Sequence, residues 1–422
     1  MKDHPVLAGI AGAGIRMGLG RMRAFMRYLG DPQLAYPTIH IAGTNGKGSV
    51  AHMVGAMLRA EGLRVGVHTS PHLQHANERV IVDGAPISDP AFDRLIAKVD
   101  DARLAWAREE LPPDDAFPLT YFEFTVAAAF VAFAEAKVDV AVVEVGMGGR
   151  LDATNVLAPA VTSIVTVGLD HCDQLGHDVA AIAGEKAGIL KSGVPAVVGP
   201  LPFSAMQVVR AVARERGVPL YAWGEDFEAW GSTGDFRFRS PGGSREGLAT
   251  NLAGDHQVAN AGVALRIVEC FAASIRPIGD TAVRAGLTMA TNPGRIEWLA
   301  ADVLVDGAHN PDGAAAFASF LDHLPRDRRR TLLLGGGRDK DVRAVATSLA
   351  PAVDRVFTTA CDHPNARPPW NVARELEGLL VPVSPAGPLA EALAHARADG
   401  DLVIVAGSLY LVGAVRDLLV GS

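Results

Sequence analysis

The run Gly43-Thr44-Asn45-Gly46-Lys47-Gly48-Ser49 constrains this chain more than any other feature. The short β-branched run Thr38 to Ala42 precedes it, and a helical stretch from about Lys47 to Glu61 follows. Strand, glycine-rich turn and helix in immediate succession form a βα unit whose backbone N–H groups can curl around phosphate oxygens, while the helix N-terminus adds positive potential. In that setting Lys47 neutralises outer phosphates and a Ser hydroxyl can ligate Mg²⁺. The strict phosphate-loop pattern fails twice. The position five before Gly46 is Ile41, and Gly48 follows Lys47 where Ser or Thr is usual. An ordinary glycine-rich turn is the alternative, and the strand-loop-helix setting argues against it.

Beyond the loop, short β-branched runs alternate with longer helical segments, which predicts an α/β fold. Leu63 to His68, Asp139 to Val145, Ala160 to Val167 and Val194 to Val198 read as parallel strands buried on both faces. From Tyr221 to Asn251, alternating aromatics and the turn Pro241-Gly242-Gly243 predict a small antiparallel excursion. A helix with Gln257, Asn260 and Glu269 follows, then another from about Asp280, before Thr291-Asn292-Pro293-Gly294 breaks the pattern. Later strands are expected at Asp302 to Asp306, Thr331 to Leu334, Arg355 to Thr359 and Leu402 to Val405. The expected organisation is a P-loop-containing parallel-sheet ATPase domain over residues 1–294 and a smaller Rossmann-like domain over 295–422.

Composition narrows the function. With 39 Lys+Arg against 47 Asp+Glu, the net charge of -8 argues against nucleic acid or anionic lipid as a partner, so an anionic substrate has to be held by a few placed cations. Cys172, Cys270 and Cys361 have no paired spacing, which excludes a zinc ribbon and suits the cytosol. The Ala-rich stretch Phe124 to Ala134 is too short for a membrane span, and Arg16, Arg21, Arg23 and Arg27 stand where a signal peptide would place its cleavage region. A cytoplasmic monomer is expected.

Further blocks spread over the chain. They include Thr69-Ser70-Pro71-His72-Leu73, Phe122-Glu123, Glu144 through Asn155, Asp170-His171, Glu185-Lys186-Ala187-Gly188-Ile189, Pro293-Gly294-Arg295, Asp306 through Pro311, and Gly407-Ser408-Leu409-Tyr410. With the variant loop, and in this order, they resemble the folylpolyglutamate synthase/dihydrofolate synthase family of the Mur ligase superfamily. The resemblance implies an ADP-forming carboxylate-amine ligase that joins L-glutamate to dihydropteroate and to folates through an acyl phosphate. It implies ATP and two Mg²⁺ ions as cofactors.

Residue by residue, the resemblance implies nucleotide contacts from Asn45, Gly46, Lys47, Gly48 and Ser49, an adenine contact from Asn260, a ribose contact from Asp306, and neighbouring contacts from Arg295 and His309. Ser70 and Glu144 would hold one Mg²⁺ and His171 would help with a second. Lys186 would be carbamylated and, with Lys47 and Arg295, catalytic. Thr120, Tyr121, Phe122 and Glu123, with Leu151, Asp152 and Ala153, would contact dihydropteroate.

Each position also has an ordinary reading. Glu144 could pair with Arg150, Lys186 with Glu185, and Arg295 could form an interdomain salt bridge. Asp306 could belong to a helix N-cap near Asn310-Pro311, Asn260 could simply face a polar cleft, and Phe122 and Leu151 could be core residues. His171 alone would more often be structural, and His68, His72 and His75 do not suggest zinc because Pro71 interrupts any helix aligning them. Among alternatives, a monofunctional folylpolyglutamate synthase stays open. A peptidoglycan-precursor ligase is disfavoured because only 42 residues precede Gly43, and a noncatalytic regulator because Lys47, Glu144, Lys186 and Arg295 are all present.

Overall fold

A computed structural model describes residues 4–421 except 15, 110–118 and 399. Three sheets organise it. The largest has eight strands: β1 (Thr38–Ala42), β2 (Val65–His68), β3 (Ile81–Val82), β4 (Ala85–Pro86), β5 (Val140–Glu144), β6 (Val161–Ile164), β7 (Ala196–Val198) and β8 (Leu220–Ala222). Their order is β4-β3-β2-β5-β1-β6-β7-β8, parallel except for the β3 and β4 pairings. β1 lies between β5 and β6, with Ile41 beside Glu144, so the loop after β1 and the carboxylate ending β5 emerge together at the C-terminal edge. Open α/β sheets bind ligands at that edge.

Side-chain alternation explains why both faces of this sheet are covered. Ile39 and Ile41 of β1, with Val140 and Val142 of β5, pack on one face with helices Lys47–Ala60, His256–Ser274 and Asp280–Met289. Ala141 and Val143 turn to the other face and meet the helix Tyr121–Ala136 through Phe124, Phe130 and Phe133. That burial accounts for the apolar stretch noted in the sequence. No helix among the described residues is long and apolar enough to cross a membrane.

The excursion begins later than expected. Leu220–Ala222 pairs in parallel with β7, and the antiparallel sheet consists of β9 (Glu228–Ser232), β10 (Asp235–Ser240) and β11 (Gly243–Leu248). Phe236 and Phe238 alternate inward from β10 onto the first core. The third sheet contains β12 (Glu297–Ala300), β13 (Val303–Val305), β14 (Arg330–Leu334), β15 (Arg355–Ala360), β16 (Val383–Pro388) and β17 (Leu402–Ala406), in the order β12-β13-β17-β14-β15-β16. Only β12 runs antiparallel in it. β12 and β16 escaped sequence reading because both are edge strands: β12 is largely half-exposed, and β16 carries Pro385, Gly387 and Pro388. Leu73, from the loop after β2, packs into the core of this sheet with Leu411 and Val412 and joins the two bodies.

Candidate active site

The loop after β1 is braced from behind. Thr44 Oγ1 donates to the Gly168 carbonyl at 3.1 Å and accepts from its N–H at 3.0 Å, while Asn45 N–H donates to Thr166 Oγ1 at 2.9 Å. Gly46 has φ +81°, and a Cβ there would lie 2.6 Å from Asn260 Oδ1. Both facts require glycine. Lys47 starts the following helix, and Ser49 Oγ in its first turn accepts from Gln257 at 3.3 Å and Asn292 at 3.1 Å. Asn260 donates to Gln257 Oε1 at 2.9 Å.

Three ionisable groups crowd the mouth of the loop. Lys47 Nζ donates to the carbonyls of Gly43 and Thr44 at 3.1 and 3.2 Å and stands 3.9 Å from Glu144 Oε1. Glu144 Oε2 accepts from Ser70 N–H at 3.2 Å, and burial raises its pKa against the pull of Lys47. Lys186, only 3% exposed, donates from Nζ to the Gly43 carbonyl at 2.9 Å. Burial, with Lys47 nearby, lowers its pKa to about 7. The ordinary pairings fail here, because Arg150 and Glu185 bond to each other at 2.7 Å, leaving neither to Glu144 or Lys186.

The third sheet closes the cleft. Asp170 meets Lys340 Nζ at 2.7 Å, His309 Nε2 at 3.4 Å and Asn310 Nδ2 at 3.3 Å. Burial opposes its charge, but the His309 hydrogen bond and the Lys340 ammonium outweigh burial and hold its carboxyl below the usual range. Asn45 and Asn310 exchange amide hydrogen bonds of 3.2 and 3.0 Å, and Asn310 also caps the helix Pro311–Asp322. Thus Asn310, not Asp306, serves that cap. Asp306 accepts from Ile296 N–H at 2.9 Å and Ala308 N–H at 2.7 Å. Among the described residues Arg295 forms neither a hydrogen bond nor an ion pair, so the ordinary reading, an interdomain salt bridge, does not hold there. Burial and Lys340 lower the pKa of His171 to about 4, leaving the imidazole neutral near pH 7.

A cleft of about 410 Å³ gathers Asn45, Gly46, Lys47, Gly48, Ser49, Ser70, Glu144, His171, Lys186 and Asn260 from the first body. Arg295, Asp306 and His309 line it from the other side. The segments expected to touch dihydropteroate do not line this cleft. Thr120 and Glu123 form a capping box at the helix start, and Glu123 also meets Arg21 at 3.0 Å. Asp152 accepts from Met147 N–H and Thr154 N–H, both at 2.9 Å, and begins the short helix Ala153–Val156. Ala153 is buried and Leu151 half-buried. Tyr121 lies under the Arg79 guanidinium, and Phe122 packs so tightly against Gly146 that a Cβ there would be 2.4 Å from its ring. These residues support the cleft wall, since Gly146 and Met147 line it.

A model of the Mur ligase middle domain matches residues 117–268, and one of the Mur ligase glutamate ligase domain matches 294–409. Dihydrofolate synthase/folylpolyglutamate synthase of Mycobacterium tuberculosis is 38% identical across 95% of this chain and 89% of its own length. This chain belongs to the dihydrofolate synthase/folylpolyglutamate synthase family. A crystal structure of Mycobacterium tuberculosis folylpolyglutamate synthase complexed with ADP and AMPPCP superposes with a TM-score of 0.90 at 36% identity, covering 98% of this chain and 97% of that one. A bifunctional folylpolyglutamate synthase/dihydrofolate synthase with Mn, AMPPNP and L-glutamate bound gives 0.86 at 31% identity, covering 99% and 98%.

For this family member, sequence reading missed Gln257 and Asn292 as partners of Ser49, and Lys340 as the partner of Asp170. A signal for Lys340 existed: Arg338-Asp339-Lys340-Asp341 follows the glycine turn directly after β14. Charge concentrated at the C-terminal end of a buried parallel strand marks a ligand edge.

Proposed function

We propose that this chain ligates L-glutamate to dihydropteroate, and to folates and their glutamates, with ATP converted to ADP and phosphate. One observation carries the reading: the loop after β1, Glu144 and Lys186 face Arg295, Asp306 and His309 across a single cleft between the two larger sheets. The names and ligands of the relatives above support it. We assign residues 1–294 to nucleotide and folate binding and 295–422 to the glutamate-ligase part.

A carboxylate is a poor electrophile, so the acceptor carboxylate first attacks the γ-phosphorus of ATP. ADP leaves and an acyl phosphate forms. The glutamate amine then attacks the acyl carbon, phosphate departs, and the amide loses its extra proton. No protein nucleophile is needed, and the residues work by positioning and charge. Residues Asn45 to Ser49 cradle the phosphates, and Lys47, now bonded to two loop carbonyls and 3.9 Å from Glu144, turns to phosphate oxygens. Arg295, unpaired among the described residues, reaches the transferring phosphoryl group. Asn260 takes the adenine, Asp306 the ribose, and His309 stands beside them. Phe122 and Asp152 shape the pteroate wall, Asp152 through the Met147 N–H it accepts.

The donor set fits a divalent cation. Glu144 is a buried carboxylate at the ligand edge with one lysine contact at 3.9 Å, Ser70 is beside it, and the His171 imidazole is neutral. A Mg²⁺ ion held by Ser70 and Glu144, with a second near His171, would neutralise phosphate charge. Carbamylation of Lys186 suits its surroundings: a neutral amine adds CO₂, releases a proton and becomes an anionic carbamate, which removes the conflict between its ammonium and the cations.

The test is to supply dihydropteroate and tetrahydrofolate separately, each with ATP and L-glutamate, and to follow phosphate release and product mass. Phosphate release that needs both an acceptor and glutamate is expected. Release independent of either would overturn the reading.

A further inference from the structure

Outside the cleft, a cationic pocket of about 600 Å³ is lined by Arg338, Arg367, Pro368, Asn371, Arg374 and Glu375. Arg367 is paired with Glu375. Arg338 and Arg374 are exposed, and among the described residues neither side chain forms an ion pair. Three guanidinium groups against one carboxylate reverse locally the sign of a chain whose net charge is -8.

This pocket and the cleft are both lined by loops at the C-terminal edge of the third sheet. Arg338 follows the glycine turn after β14, and Arg367 lies in the loop after β15. The two loops clamp each other through Arg338 N–H to the Asn365 carbonyl and Arg367 N–H to the Gly336 carbonyl, both 3.1 Å. Gly336, Gly337 and Asn365 line a small hollow with Ser408 and Tyr410, where His363 stacks on Tyr410 at 4.0 Å. Leu409, between Ser408 and Tyr410, lines the catalytic cleft itself. The cleft, this hollow and the arginine pocket are thus all lined from loops that follow the C-terminal ends of parallel strands of the third sheet.

We infer that the arginine pocket binds the α-carboxylates of a poly-γ-glutamyl tail on the folate acceptor. The inference rests on the proposed function. Each γ-linked residue leaves its α-carboxylate free, so the tail is a regular polyanion, and the planar arginine fork matches a carboxylate in two hydrogen bonds. Free glutamate fits less well, because its ammonium would face three cations. ATP has its own phosphate loop. The offset from Lys47 separates this pocket from the reacting end, so it aids acceptors that already carry a tail and not the first addition.

The test uses the full chain and the double variant Arg338→Gln/Arg374→Gln, leaving Arg367 to its Glu375 partner. KM is measured for dihydropteroate, tetrahydrofolate monoglutamate, tetrahydrofolate pentaglutamate and L-glutamate. KM for the pentaglutamate should rise about tenfold, the loss expected for two charge-assisted contacts at an exposed site. The other three constants should stay unchanged, and added KCl should weaken pentaglutamate use in the parent chain more than in the variant. An equal rise for every acceptor, a rise confined to L-glutamate, or no change would overturn the inference. Free penta-γ-glutamate is also titrated calorimetrically into both proteins. Absence of binding to the parent chain overturns the inference even if the variant folds poorly. If the parent chain ligated no glutamate yet bound the free peptide through these arginines, the proposed function would fail while the pocket's ligand stood.

Discussion

Glu144 and Lys186 on one side, and Glu123 and Asp152 on the other, are all buried ionisable groups near the ligand edge of the first sheet, but their surroundings differ. Glu123 caps a helix and meets Arg21, and Asp152 accepts backbone N–H groups of Met147 and Thr154. Glu144 accepts one backbone N–H, with Lys47 at 3.9 Å, and Lys186 donates to one carbonyl. Burial alone therefore does not distinguish a working group from a brace. A buried charge that the fold leaves short of partners, beside open space, is the one poised for a ligand.

The largest expected effect tests the poorly partnered side. Lys47→Ala should abolish turnover and leave the melting temperature nearly unchanged, because it bonds two loop carbonyls, meets Glu144 only at 3.9 Å, and matters chiefly once phosphates arrive. Turnover unchanged at saturating ATP would remove Lys47 from that group. Lys186→Ala should also lose activity and partly regain it when a small carboxylate such as acetate is added. Parent protein stripped of CO₂ should recover on adding bicarbonate. Lysine density ending at Nζ in an active, metal-loaded crystal, together with indifference to bicarbonate, would return Lys186 to a structural role.

Arg295→Ala separates chemistry from binding. Among the described residues its guanidinium meets no partner, so kcat should fall at least tenfold while ATP affinity changes little. Equal losses in both would make it an ordinary nucleotide contact. On the well-partnered side, Asp152→Ala leaves the Met147 and Thr154 donors unmet, which should cost about 1–3 kcal/mol of stability. Dihydropteroate and tetrahydrofolate activities should fall together. A selective loss of dihydropteroate use at an unchanged melting temperature would instead move Asp152 to direct pterin contact.

The pH dependence of stability gives a further test of the poorly partnered side. Unmodified Lys186 loses its proton at about 7 when folded, against an ordinary value of 10.5. Between those limits the unfolded chain binds more protons, so the stability of CO₂-free protein should rise with pH across that window. Lys186→Met should flatten the rise, as followed by urea denaturation at several pH values. An identical slope in both proteins would show that the ammonium is not desolvated.

Local order was legible in the sequence wherever short-range chemistry decides it. Thr38–Ala42 is a strand over the expected residues because five residues that tolerate full burial run into a glycine turn, where Gly46 takes a positive φ. Of the helix Tyr121–Ala136, sequence reading singles out only the apolar stretch Phe124 to Ala134 and not the capping box that holds its start. Sheet order was not legible. That β1 lies between β5 and β6, or that β8 joins the parallel sheet while β9 starts another, depends on pairings between residues distant in sequence. The edge strands β12 and β16 are held by pairing and not by composition.

The same division runs through the site. The proposed phosphate loop, Gly43 to Ser49, is read from seven adjacent residues, since backbone N–H groups and a neighbouring lysine need no distant partner. Only the tertiary structure decided that Arg150 takes Glu185 and leaves Lys186 to Gly43, that Asn310 rather than Asp306 caps a helix, and that Lys340 meets Asp170 from 170 positions away. Charges choose partners by distance and burial. Those quantities exist only after the sheets have brought remote strand ends to a common edge.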